Sequence, residues 1–174
     1  MQEHILDKRS IFISKFTGDI SKIDENINSI KNLDKGRVIT NVNGYQSNDI
    51  PYGFTELVKE VGAGVREILQ SDKPNLINFW LNINNGYSKN VSHIHQNKNG
   101  NSFFSFSCVY YHKVCCNECP IVFENLIPSI FSDHYAYAPK NQEIIFFWGS
   151  IPHRVEPCSQ ENHERISIAF NFQP

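Results

Sequence analysis

The sequence predicts a mainly β fold with N-terminal helices, arranged as a double-sheet barrel or jelly roll with the helices packed outside. Two observations point there. Within the first 70 residues, apolar side chains recur twice at helical spacing. After Pro74 the pattern changes to short aromatic or β-branched runs, separated by Asn, Gly, Pro and Ser clusters.

Taken in order, residues 11–16 alternate weakly and form a first candidate strand. Residues 19–33 place Ile20, Ile23, Ile27 and Ile30 on one helical face, and Gly36 ends the segment. Val38-Ile39 is a short β-like step, and Asn43-Gly44 is a turn signal. Residues 52–70 form the stronger helix, with Phe54, Leu57, Val58, Val61, Val65, Ile68 and Leu69 on one face. Asp72 to Pro74 punctuate its exit. Strands are expected at 76–83, 102–111, 120–123, 143–148 and 165–172. No repeat or linker breaks the chain, so a single domain over 1–174 is expected, with a supporting part over about 1–74 and a β core over about 75–174. With 174 residues, 40% hydrophobic and 13% aromatic, the chain can bury one sizeable core.

A formal charge of −2 offers no broad cationic surface, which argues against non-specific nucleic-acid binding. The first residues carry Glu3, Asp7, Lys8 and Arg9 with no apolar run behind a basic start, unlike a secretory signal. Apolar stretches such as 144–148 are too short to span a bilayer, so the expectation is a cytoplasmic protein that does not engage membranes. Five cysteines fit unbridged thiols in a reducing compartment better than a disulfide framework.

The second half carries the candidate site. His93 and His95, two apart on an extended strand, point to the same side, and His153 on a distant strand can close three imidazoles around one metal ion with open positions. Arg165 begins an alternating strand with Ser167 on the same face. A guanidinium turned inward costs energy without an anion, so that orientation implies a carboxylate on a small co-substrate. Together these residues suggest a metal-dependent oxygenase. The alternatives are two solvated loop histidines, a rim histidine at 153 without metal, and an Arg165 that pairs with Glu161 or Glu164 at the surface. Tyr110 and Tyr111 alternate faces, so one of them belongs to the core. Trp80, Asn82 and Asn84 share a strand face and are candidates for a substrate pocket beside the metal, flanked by the polar segments 85–90 and 97–103 with Lys89 and Lys98. The run Cys115-Cys116-Asn117-Glu118-Cys119 invites a zinc reading, but only His112 and Cys158 offer further ligands, and unbridged thiols in a hairpin loop are the simpler account. His112 and His134 read as surface or loop residues.

These residues also carry a family resemblance. The His93-x-His95 motif, the strand Ser107-Cys108-Val109-Tyr110-Tyr111, the run Ile144-Ile145-Phe146-Phe147 leading to Pro152-His153, and Arg165-Ile166-Ser167-Ile168 with Asn171 resemble the 2-oxoglutarate- and iron(II)-dependent oxygenases. The likeness is to small bacterial and phage members and, more distantly, to prolyl hydroxylases, over roughly 75–172. It implies a cupin-like double-stranded β-helix, with Fe(II) as cofactor, 2-oxoglutarate and dioxygen as co-substrates, and most simply hydroxylation of a small molecule, amino acid or peptide side chain. His93 and His153 match the two histidine ligands, while His95 stands where the family carries a carboxylate. Arg165 and Ser167 match the pair that binds the distal carboxylate of 2-oxoglutarate, and Tyr111 matches a tyrosine that donates a hydroxyl to it. No catalytic residue beyond the metal centre is implied. Cys108 and Gln142 occupy positions where relatives carry glycine. Two other readings stay open: a cupin-type three-histidine dioxygenase that does not use 2-oxoglutarate, and a non-catalytic metal-binding β-barrel module. Substrate, the choice among hydroxylation, desaturation and cyclisation, and oligomeric state are not legible in the sequence.

Overall fold

Strand periodicity sets the architecture. In the strand Glu164–Gln173, Ile166, Ile168, Phe170 and Phe172 alternate with Arg165, Ser167, Ala169 and Asn171, and successive side chains on a strand face opposite ways. One set joins a core with the helices, and the other faces a second sheet.

The computed structural model describes residues 10–95, 106–114, 119–124 and 134–173. In chain order the elements are β1 (Phe12–Lys15), α1 (Ile20–Leu33), β2 (Asn41–Val42), β3 (Tyr45–Gln46), α2 (Thr55–Leu69), β4 (Asn75–Asn85), β5 (Lys89–His93), β6 (Phe106–Lys113), β7 (Ile121–Glu124), β8 (His134–Tyr137), β9 (Glu143–Trp148), β10 (His153–Val155) and β11 (Glu164–Gln173). They form a larger sheet in the order β1-β9-β6-β11-β4-β3 and a smaller one in the order β2-β5-β10-β7-β8. Every strand pairing is antiparallel.

The larger sheet is buried on both faces at its middle strands β9, β6 and β11, whereas its edge strand β1 is exposed. Its outer face carries Leu81, Tyr110, Ile144, Phe146, Ile168 and Phe170, packed with Ile23 and Ile27 of α1 and Leu57, Val61 and Val65 of α2. Its inner face carries Trp80, Val109, Tyr111, Ile145, Phe147 and Ala169, packed with Ile121 and Phe123 of the smaller sheet. Asp19 caps α1, its carboxylate accepting from the Ser21 backbone N–H at 2.9 Å. Gly64 lets α2 lie close on β9, because a Cβ there would sit 2.6 Å from the Phe146 ring.

Some expectations shift. Val38 and Ile39 are exposed and outside any strand, and pairing begins instead at Asn41–Val42 and Tyr45–Gln46. Between those two strands Asn43 takes φ 58, as the turn requires. The expected strand at 102–111 begins at Phe106 among the described residues, since 102–105 lie outside them. The short strand β8 was not expected, while β5 and β10 were expected only as the strands that carry His93 and His153, without bounds. Gln142 takes φ 70, a left-handed conformation that suits glycine. Its N–H donates to the Tyr111 carbonyl at 2.7 Å, and its carbonyl accepts from Phe16 N–H at 2.8 Å, so this strained turn ties β9 to β6 and β1. No described helix is long and apolar enough to cross a membrane.

Candidate metal centre

Two adjacent inner strands of the smaller sheet, and the residues just past one of them, bring the histidines together. His93 ends β5, His153 begins β10, and the two are register partners with ring centroids 4.4 Å apart. His95 lies two residues past the end of β5 rather than on it; its N–H donates to the Gly149 carbonyl at 2.8 Å, in the turn between β9 and β10. That bond brings its ring to within 5.2 Å of His93 and 4.9 Å of His153, centroid to centroid. The strand picture of the sequence therefore holds for His93 and His153 and fails for His95.

Second contacts of the three rings fix which nitrogen faces inward. His93 Nδ1 lies 2.8 Å from the Val91 carbonyl and His153 Nδ1 2.9 Å from the Ile151 carbonyl. A carbonyl can only accept, so each Nδ1 carries the proton and each Nε2 carries the lone pair. His95 Nδ1 lies 2.6 Å from Asn171 Oδ1, whose amide is oriented because its Nδ2 donates to Asn78 Oδ1 at 3.0 Å. Ser107 Oγ adds contacts to both, at 2.8 Å to His95 Nδ1 and 3.0 Å to Asn171 Oδ1. All three imidazoles thus present an acceptor nitrogen to one point.

The consequence is geometric. His93 Nε2 and His95 Nε2 face each other at 3.3 Å, and two lone pairs at that distance repel unless a cation lies between them. Nitrogens held about 2.0–2.1 Å from a shared ion, at octahedral to tetrahedral angles, stand about 2.8–3.4 Å apart. Ligand atoms of His93, His95 and His153 all lie within 4.8 Å of one another, and among the described residues no carboxylate joins them. The set fits a divalent transition metal that takes imidazole and keeps open positions. Burial favours the neutral rings. It lowers His93, pushes His153 well below its ordinary range with help from the other two rings, and brings His95 to about 4, again with burial first and His93 second.

The remaining candidates from the sequence share the same cleft. Trp80, Asn82, Tyr111, Arg165 and Ser167 line it with the three histidines. Ser167 on β11 is flanked in register by Tyr111 on β6 and Asn82 on β4. Arg165 is 1% exposed and donates from Nη1 to the Cys119 carbonyl at 2.9 Å. Burial pushes the Tyr111 hydroxyl up to about 12 while the Arg165 charge pulls it the other way, so it remains a donor at neutral pH. Asn84 is the exception: it does not line the cleft, and its Nδ2 donates to Asn90 Oδ1 at 3.2 Å. Asn90, the last residue of the segment 85–90 expected to flank the pocket, lines it too, and so does Thr40, which was not anticipated and sits in a bend just before β2. The roles of Asn171 and Ser107 behind His95 also escaped the sequence reading, since only the pairing of β6 with β11 brings them together.

Of the cysteine run, Cys115 and Cys116 lie outside the described residues, as does the flanking segment 97–103. His112 Nε2 meets Asp24 Oδ1 at 2.8 Å. Cys119 lies with Cys158 and His163 in a second cluster. Cys108 is buried in the outer core, where burial pushes its thiol well above its ordinary range.

No family model matches the sequence, and no curated protein does. Solved structures do match the fold. A viral collagen prolyl hydroxylase from Paramecium bursaria Chlorella virus-1, in complex with 2OG, has a TM-score of 0.64 at 16% identity over 93% of this chain and 94% of that one. HygX from Streptomyces hygroscopicus, with nickel and 2-oxoglutarate bound, has a TM-score of 0.70 at 10% identity, covering 95% of this chain and 83% of that one. A Pseudomonas putida prolyl-4-hydroxylase has a TM-score of 0.62 at 12% identity, covering 95% and 92%. At these identities the likeness is one of fold, and the fold is that of 2OG-Fe(II) oxygenases.

Proposed function

We propose that the protein is a non-haem iron(II)- and 2-oxoglutarate-dependent oxygenase on a jelly-roll core. The observation that carries this reading is the convergence of three Nδ1-protonated imidazoles, His93, His95 and His153, on one point within reach of a buried arginine. These three residues would hold the iron. When bound, iron(II) supplies dioxygen activation coupled to oxidation of 2-oxoglutarate. The chain's own part is to position and to exclude water.

Arg165, with the hydroxyls of Ser167 and Tyr111, would hold the distal carboxylate of 2-oxoglutarate. A guanidinium and two hydroxyl donors suit a carboxylate, and burial strengthens each contact. Trp80 and Asn82 would form the wall against which a small molecule, amino acid or peptide side chain is held. The Asn82 amide oxygen, buried and with no hydrogen-bond partner among the described residues, is an acceptor placed for a donor on a bound molecule. With His95 in place of a carboxylate, the metal centre carries one unit more positive charge, which strengthens its hold on an anionic chelator.

The test is succinate release from 2-oxoglutarate with added iron(II), in the unsubstituted protein and in Arg165→Ala. The proposal expects turnover in the first and a loss of at least about tenfold in 2-oxoglutarate affinity in the second, the scale of one charge-assisted hydrogen bond. Failure of the unsubstituted protein to bind 2-oxoglutarate in the presence of iron(II) would sink it. The all-imidazole donor set favours one other reading, a cupin-type dioxygenase whose organic substrate binds the metal directly, and dioxygen uptake without 2-oxoglutarate distinguishes the two.

A further inference from the structure

We propose that Cys119, Cys158 and His163 form a second metal site, a structural one for a zinc-class ion, separate from the three-histidine centre. The three residues are buried at 2%, 1% and 4% exposure. Their candidate ligand atoms all lie within 4.8 Å of one another. Cys119 precedes β7 by two residues, while Cys158 and His163 come from the connection between β10 and β11. Folding therefore assembles a cluster from two separated pieces of chain.

The donor chemistry is selective. Two sulfurs and an imidazole are soft to borderline ligands, which favour zinc and its neighbours over magnesium or calcium. Two thiolates and one neutral imidazole around a divalent ion sum to zero charge, so the complex can be buried without the cost of an isolated ion. Cys119 Sγ and His163 Nδ1 stand 3.9 Å apart. A zinc-class ion with bonds of about 2.3 Å to sulfur and about 2.0–2.1 Å to nitrogen holds such a pair about 3.5 Å apart at a tetrahedral angle, a closure of a few tenths of an ångström. The Gln160 backbone N–H already points at Cys158 Sγ from 3.4 Å, the kind of outer contact that supports a metal-bound thiolate. A tetrahedral ion takes a fourth donor beyond these three.

The location gives the ion a structural task. The Cys119 carbonyl accepts from Arg165 Nη1 at 2.9 Å, and the His163 carbonyl accepts from the Gly86 N–H at 3.0 Å. An ion here clips three connections together: the turn between β4 and β5, the approach to β7, and the loop that leads into β11. It thereby holds the backbone on which the Arg165 guanidinium rests. The metal assignment stands on the cluster alone; its consequence for a bound carboxylate rests on the function proposed above.

The experiment is titration of the full-length, metal-stripped protein with cobalt(II), read by sulfur-to-cobalt charge-transfer absorption. The three-histidine centre has no sulfur ligand, so it is silent in this signal and its failure or success does not affect the reading. Cobalt(II) in excess of both sites is expected to produce the absorption, zinc(II) to abolish it, and His93→Ala/His153→Ala to leave it in place. Cys119→Ser and Cys158→Ser should each remove it. Absence of the absorption in the unsubstituted protein overturns the proposal whether or not the variants fold. So does its persistence in Cys119→Ser, or a Cys119–Cys158 disulfide found by mass spectrometry in protein purified under reducing conditions.

Discussion

His93 and His153 face one another in register across the β5–β10 pair, each with Nδ1 bound to the carbonyl two residues before it. The same short loop of ring and backbone is used twice, so the two strands present matched Nε2 atoms. Replacing His153 by alanine removes one of three donors, along with the ring contact to Phe147 of β9. A loss of at least about 100-fold in iron(II) affinity is expected, equivalent to about 2.7 kcal/mol. Competition titration against a metal indicator measures it, and unchanged affinity would contradict the three-donor site.

Asn171 is a positioning residue, acting through His95. Its amide oxygen accepts a hydrogen bond from Nδ1–H, which keeps the proton there and the lone pair on Nε2. In Asn171→Ala metal affinity should fall about 10–100-fold, as for other supports of metal-bound histidines. Asn171→Asp keeps an acceptor at that point and should restore binding. Equal loss in both variants would point to packing instead.

Stability should depend on pH through the buried rings. Burial holds His95 at about 4, below its ordinary 6.5. Above 6.5 the ring is neutral in both folded and unfolded chains, and no stability is lost. As pH falls from 6.5 towards about 4, the unfolded chain takes up a proton that the folded one refuses, so stability declines. This residue accounts for a loss on the order of 3 kcal/mol across that window, and His93 and His153 act in the same direction. Urea midpoints of metal-free protein from about pH 7.5 to about pH 4.5 should fall more steeply than those of His95→Gln, by that margin. Parallel profiles would refute it.

Gln142 keeps a left-handed backbone while both its N–H and its carbonyl are committed to neighbouring strands. Glycine adopts this conformation without a Cβ penalty of about 1–2 kcal/mol, partly offset by the greater freedom of glycine in the unfolded chain. Gln142→Gly should stabilise the protein by about 0.5–1 kcal/mol in chemical denaturation. A destabilised variant would mean that the side chain contributes more than the turn costs.

The sequence was legible where periodicity is imposed by two buried faces. Ile166, Ile168, Phe170 and Phe172 on one side and Arg165, Ser167 and Ala169 on the other could be sorted by alternation alone, and the structure sends them to the two faces so inferred. The helices were legible from Ile23, Ile27, Leu57, Val61 and Val65, which pack on that sheet. Strands of three to five residues with polar content, Lys89–His93, His134–Tyr137 and His153–Val155, left no such trace, because a few mixed residues on a small sheet need not alternate. Asn84 was grouped with Trp80 and Asn82 by parity, and parity says nothing of where a cleft ends. His163 attracted no notice, as only the packing of loops around Cys119 gives it chemical company.

The most direct test of the central claim is anomalous X-ray diffraction from crystals loaded anaerobically with iron(II). The account predicts one iron peak about 2.0–2.2 Å from Nε2 of each of His93, His95 and His153. A peak that contacts only two of these nitrogens, or iron bound elsewhere with the three rings left as they are, would contradict it.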